Sequence, residues 1–400
     1  MLLLQNKIQG YLWGSRTKLA EFLGQPSPAA VPQAEMWMGA HPAAPSCVQR
    51  DGIWQPLTSW IEEDPRTVLG ERVHRAYGPR LPFLLKVLAV ESPLSLQAHP
   101  STTQAAAGFD AEEAAGIPLD ARDRSYKDRS HKPELLCALT PFDALCGFRR
   151  VDDSLRLFGS LRVPALAPFT DIIARDTGPT TLKAAFSSLM AADRDFQRAV
   201  ADGVAEACEK SCGPGQEFEA ELAWARRISA LYPGDIGIVG ALLLNLVHLR
   251  PGQAFYLPTG CLHAYLQGTG VEIMASSDNV LRGGLTPKYV GVAELLRVLD
   301  FQTGPVPVLE TISAGPARQV FVTPAPEFEL STIELDGSRL ALTERLGPEI
   351  LLCESGNLVA TSAHGSVPLV QGTSVLVIGS EGRYELEGRG RLFRAAVQSA

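Results

Sequence analysis

The chain has no run of three basic residues, and Lys and Arg (36) are outnumbered by Asp and Glu (44), leaving a net charge of −8. Binding nucleic acid by bulk electrostatics needs clustered cations, so that class is excluded and no nucleic-acid partner is expected. No stretch approaches the roughly 20 apolar residues of a membrane helix. The best candidate, residues 236–249, is too short and carries Asn245 and His248. No membrane partner is therefore expected. The first residues lack the apolar core and small-residue cleavage site of a signal peptide. Cysteines are few and scattered: Cys47, Cys137, Cys146, Cys208, Cys212, Cys261 and Cys353, an odd number with no CxxC pair. With no secretion signal, this predicts a reduced cytoplasmic protein with incidental thiols.

What is present is apolar and turn-rich. Hydrophobic residues make up 46% of the 400 and charged residues 20%. A sizeable core can be buried, and wholesale disorder is excluded. Gly (36) and Pro (29) exceed the average share without any collagen-like period, so many tight turns are expected. The length predicts two or three domains. In residues 1–150 the pattern is mixed. A short helix fits residues 17–23, capped at Ser15 or Thr17; a buried strand fits 81–90; a second strand fits 95–99 before Pro100; a helix fits 105–115. From 151 to 249 the period becomes helical. Leu182, Phe186, Leu189, Met190, Phe196 and Val200 predict one amphipathic helix, Phe218, Leu222, Ala225 and Ile228 another, and 236–249 a third capped by Asp235. From 250 the period drops to two, with turns at Pro251-Gly252, Pro258-Thr259-Gly260 and Gly283-Gly284. Residues 306–326 read as a linker. The expected division is a discontinuous first domain (1–150 and 250–310), a helical insertion (151–249) and a second barrel (311–400).

The strongest local pattern is Gly252-x5-Pro258-x-Gly260-x2-His263-x3-Gln267. Its spacing resembles the second motif of the cupin superfamily, small β-barrels with a metal in the mouth. That motif predicts a companion histidine on a paired strand. Gln97 and His99 meet the need, because strand residues i and i+2 share a face. Glu134, after Pro133, offers an anionic oxygen. Gln97, His99, Glu134 and His263 together supply two imidazoles, a carboxylate and an amide oxygen. The set suits Zn²⁺, with Mn²⁺, Co²⁺ or Fe²⁺ as competitors. A lone buried histidine is more often a satisfied core residue, and only the conjunction of motifs carries the metal reading. In the C-terminal part, Gly372-x5-Ile378-Gly379 echoes the glycine spacing with no histidine after it. His364 is the one histidine there, so a barrel without ligands is expected.

The ordered motifs Tyr11-Leu12-Trp13-Gly14, Ala34-Glu35-Met36-Trp37-Met38-Gly39-Ala40-His41-Pro42, Ser95-Leu96-Gln97-Ala98-His99-Pro100, His131-Lys132-Pro133-Glu134 and Ser277-Asp278-Asn279-Val280-Leu281-Arg282-Gly283-Gly284 resemble the type I mannose-6-phosphate isomerase (phosphomannose isomerase) family. The resemblance implies a mainly β fold of cupin-type jelly-roll barrels: a catalytic barrel, a helical insertion and a second, metal-free barrel. It implies one Zn²⁺ per chain on Gln97, His99, Glu134 and His263, and an enzyme acting on a small sugar phosphate; a cytoplasmic monomer is expected, with a homo-oligomer left open. Two departures stand out: Ser130 where the family usually has Asn, and Gly283 where it usually has Ala.

Interconverting D-mannose 6-phosphate and D-fructose 6-phosphate needs ring opening, a base between C2 and C1, a positive centre for the enediolate oxygen and a grip on the phosphate. Arg282 is expected to hold phosphate or enediolate, since a guanidinium binds either bidentately. Lys132 and Glu272 are expected to move protons, with His131 assisting ring opening. Lys86 lies in an apolar run and needs a partner or a pocket. It is expected to touch substrate, as are Ser95, Tyr265 and Lys288. The competing readings are an isomerase of another, unphosphorylated aldose, a cupin oxygenase with a redox metal, and a non-catalytic sugar-binding cupin.

Overall fold

A computed structural model describes residues 1–211, 215–315 and 317–398; Cys212 lies outside them. The fold is built from two ten-stranded sheets and a helical layer. The first sheet is organised by the 13-residue strand His263–Ala275. Its later half pairs with Phe83–Val90 on one flank and Glu134–Ala138 on the other. Its early part pairs with Leu96–Ala98 and Phe142–Phe148. One strand bordered by four others joins two half-sheets that face a shared interior. The enclosed space is filled by Leu88, Val90, Leu136, Ala138, Phe142, Ala144, Phe255 and Tyr265.

Strict alternation would put His263 and Glu272, nine positions apart, on opposite faces. A register shift between Tyr265 and Gln267 inserts an extra residue opposite Ala144 and Asp143. Tyr265 before it and Glu272 and Met274 after it therefore all face one cavity. Phe83–Val90 is buried along its whole length. Leu84, Lys86 and Leu88 face the cavity, while Leu85, Val87 and Ala89 pack into the core shared with the second sheet. That two-sided burial is why the run reads as continuously apolar.

The second sheet joins both ends of the chain. Leu2–Gln5 lies between Ser374–Val377 and Cys47–Arg50, and the long strands Glu329–Leu342, Glu349–Ser362 and Tyr384–Ala396 form its centre. The expected boundary at residue 311 is thus crossed by strands from residues 2–5 and 47–56. Short strands carry no periodicity that names a distant partner. Leu335, Leu351, Leu369, Tyr384 and Leu392 fill this sheet's own interior.

Three local expectations are corrected. The single helix over Leu182 to Val200 is two, Pro179–Met190 and Arg194–Lys210. Asp193 caps the second, accepting from the Phe196 amide at 2.8 Å. The apolar period runs through because both helices face one core. The helix expected over 236–249 stops at Leu243, and Leu244–Leu249 is a strand on Phe142–Phe148. Short apolar runs do not separate helix from strand by period. The linker at 306–326 contains the paired strands Thr311–Ser313 and Arg318–Phe321. No helix of the described residues is long and apolar enough to cross a membrane.

Candidate active site

A cavity of about 1010 Å³ opens at the mouth of the first sheet. Glu134 lines it, and the ligand atoms of His99, Glu134 and His263 lie within 4.8 Å of one another. Each residue is at most 2% exposed. Nε2 of His99, Nε2 of His263 and Oε2 of Glu134 are buried without a hydrogen-bond partner. Leaving three such atoms unpaired costs several kcal/mol, on the order of 1–3 each. Their tautomers are set from behind. His99 Nδ1 lies 2.7 Å from the Asn279 carbonyl oxygen and His263 Nδ1 lies 2.9 Å from that of Cys261. Each ring donates through Nδ1–H and turns an Nε2 lone pair to the cluster, as ligating histidines do. Gln97 lines the same cavity and pairs directly with His263. Two buried imidazoles and a carboxylate, with three ligand atoms that no hydrogen bond satisfies, fit a divalent cation of zinc type.

Glu272 faces the same cavity. Its Oε1 accepts from the Tyr265 hydroxyl at 2.7 Å and its Oε2 from Lys86 Nζ at 2.9 Å. Lys86 also reaches Glu35 at 3.5 Å and lies over the Trp37 ring. Burial alone would lower the Lys86 pKa, but Glu272 and Glu35 outweigh it and hold the ammonium charged. The two cavity carboxylates are driven apart. Burial raises Glu272 above the usual carboxylate range, with Lys86 opposing. Burial also pushes Glu134 up, but Lys132, 3.1 Å away, and the imidazoles outweigh it and hold Glu134 well below that range. Such divergence separates a proton carrier from a permanent anion.

Arg282 and Lys288 line the cavity too, and no carboxylate among the described residues pairs with either side chain. Burial lowers the Arg282 pKa; burial and the Arg282 charge lower that of Lys288. Ser95 lies on this lining as well. His131 does not. Its Nε2 sits 2.6 Å from Glu327 Oε1, whereas Lys132 and Glu134 line the cavity.

Sequence reasoning assigned no role to Glu35, His41 or Asp278, which also line the cavity. His41, 2% exposed, places Nε2 3.3 Å from Asp278 Oδ1. Glu35 sits in the fully buried strand Glu35–Met38. An acid in an apolar strand is the same signal that drew attention to Lys86.

A model of the type I phosphomannose isomerase catalytic domain matches residues 1–151. Mannose-6-phosphate isomerase from Escherichia coli (strain K12) is 39% identical, covering 98% of each chain. The Homo sapiens mannose-6-phosphate isomerase is 33% identical over 93% of this chain and 92% of its own. The chain belongs to the type I phosphomannose isomerase family. A crystal structure of a zinc-bound mannose 6-phosphate isomerase superposes with a TM-score of 0.91 at 36% identity, covering 100% of this chain and 99% of that one. A mutant phosphomannose isomerase from Salmonella typhimurium gives the same score with both chains fully covered. The fold of this phosphomannose isomerase family member is accordingly the cupin-type jelly-roll arrangement. Its two departures leave the cavity chemistry intact. Ser130 acts through its backbone carbonyl, which accepts from Ser277 and Asn279. Gly283 faces Leu262, Leu295 and Leu96 rather than the cavity.

Proposed function

We propose that the protein interconverts D-mannose 6-phosphate and D-fructose 6-phosphate with one Zn²⁺ per chain, held by Gln97, His99, Glu134 and His263. One observation carries this reading: a cavity lined by two cations that have no carboxylate partner meets, at Glu134, a cluster of buried metal-ligand atoms without a hydrogen-bond partner. The relatives named above support it. Bound there, the ion supplies a Lewis acid for the sugar oxygens. Arg282 and Lys288, with Ser95, grip the phosphate dianion and orient the chain of the sugar. Glu272 takes the proton from C2 and returns it to C1, its carboxylate fixed by Tyr265 and Lys86. Lys132 serves the hydroxyl protons beside it, and Lys86 extends a hydrogen bond to a sugar hydroxyl. His131, tied to Glu327, supports Lys132 from outside the cavity. We further propose that the enzyme works in the cytoplasm as a monomer; its relatives, enzymes of sugar-phosphate metabolism, support the first part.

The test is an isomerase assay coupled to fructose 6-phosphate, run before and after chelation and with unphosphorylated mannose alongside. Activity should vanish on chelation, return with Zn²⁺, and fail without the phosphate. Turnover that survives complete metal removal overturns the metal assignment, and equal turnover of mannose overturns the phosphate grip.

A further inference from the structure

Two thiols meet beside the cluster. Cys146 Sγ and Cys261 Sγ are 3.6 Å apart, and both are free. Cys146 is 2% exposed and lies directly across the strand pair from His263. Cys261 is half-buried and sits in the turn that precedes His263. That turn touches both imidazole ligands proposed above. The Cys261 carbonyl accepts from His263 Nδ1 at 2.9 Å. The Gly260 amide donates to the His99 carbonyl at 2.8 Å.

We propose that Cys146 and Cys261 form a reversible disulfide under peroxide and that this cross-link disarms the metal site. The more exposed Cys261 is oxidised first. Its sulfur takes an oxygen from hydrogen peroxide, the O–O bond breaks, and one water leaves a sulfenic acid. Cys146 sulfur then attacks Cys261 sulfur. The S–S bond forms, the S–O bond breaks, and the hydroxide leaves as water with the Cys146 proton. Two thiols are oxidised and one peroxide is reduced to two waters. A disulfide needs the sulfurs at about 2.05 Å, so the contact must shorten by about 1.5 Å. Cys146 is held in the ladder between His263 and the strand Leu244–Leu249, so the turn bearing Cys261 must give. Moving it shifts the carbonyl that orients His263 and strains the amide on His99. Displacing such a partner of a ligating imidazole lowers metal affinity roughly 10- to 100-fold.

The metal consequence rests on the proposed zinc site; the cross-link does not. The experiment treats metal-loaded enzyme with hydrogen peroxide, quenches with an alkylating agent, and measures intact mass, peptide linkage, metal content and activity. The expected product is two hydrogens lighter, with the Cys146 and Cys261 peptides joined. Metal and activity should be lost together and return with dithiothreitol and Zn²⁺. Cys146→Ala should keep its basal activity and show no reversible loss. A cross-link elsewhere, oxygen addition alone, or an identical peroxide response in Cys146→Ala overturns the proposal. A correct cross-link with metal fully retained overturns the disarming step alone.

Discussion

At the scale of single residues, Glu272 makes the sharpest claim. A base acts only when deprotonated, so turnover must fall as pH falls through its pKa. Burial raises that pKa, so the fall begins at a higher pH than for an exposed glutamate near about 4.3. Lys86→Met removes the charge that opposes the rise, and the acid limb of kcat against pH should move further up. The same variant leaves Glu272 and Glu35 uncompensated in a buried site, a cost of about 3–5 kcal/mol by urea unfolding. An unmoved limb would remove Glu272 as the base. Arg282→Ala should retain stoichiometric metal by elemental analysis yet lose roughly 10- to 100-fold in kcat/KM, the worth of about 1.5–3 kcal/mol for a hydrogen bond to a charged group. His263→Ala should lose the metal itself. Much of this was legible. Gln97-x-His99 declared a shared strand face, and Lys86 stood out as a cation in an apolar run. His131 drew notice beside Lys132 and Glu134, but the fold ties it to Glu327 instead of the cavity lining, a partner 196 positions away that no local pattern announces. His41 and Asp278 were invisible as a pair, since only the fold brings them to 3.3 Å.

Among the elements, the small strand Leu281–Gly284 shows how tightly the helical layer is fitted to the site. A Cβ on Gly284, whose φ is +122°, would lie 2.7 Å from Gly237 Cα in the helix Gly237–Leu243. A Cβ on Gly283 would meet only the side chains of Leu262, Leu295 and Leu96 at 3.2–3.4 Å. Gly283→Ala should therefore change stability by less than about 1 kcal/mol. Gly284→Ala should cost about 1–3 kcal/mol or more through backbone strain and the clash. Thermal unfolding of both variants decides it; equal losses would refute the packing account. Strand Phe83–Val90 was readable because both its faces are apolar. The extra residue between Tyr265 and Gln267 was not, because an apolar run around Leu266 looks the same with or without a bulge. The helix-to-strand change at Leu244 escaped for a related reason: Leu242, Leu243 and Leu244 give no phase.

For the whole molecule, the net charge of −8 acquires a local exception. On the proposed reading, a dianionic substrate is repelled weakly by the surface at large and drawn by Arg282, Lys288 and the metal. The metal also belongs to the stability of the fold. A ligand at a hundred times its Kd stabilises by about 2.7 kcal/mol, so chelation should lower the Tm measurably and Zn²⁺ should restore it. A Tm indifferent to chelation would mean that the cluster is not the binding site. The turn-rich composition and the drop in period after residue 250 foretold the β architecture. They could not foretell that residues 2–5 belong to the far sheet. Leu2 pairs with Leu376 and Leu3 with Val375. A ribosome adding roughly 5–20 residues each second leaves about 20–75 s between the emergence of these partners. During that interval the first strand made has only Cys47–Arg50 to join, so its other edge waits as an unpaired template. The second barrel can close only when synthesis is nearly over, and a chain released early would carry an open edge, a natural mark for proteolysis.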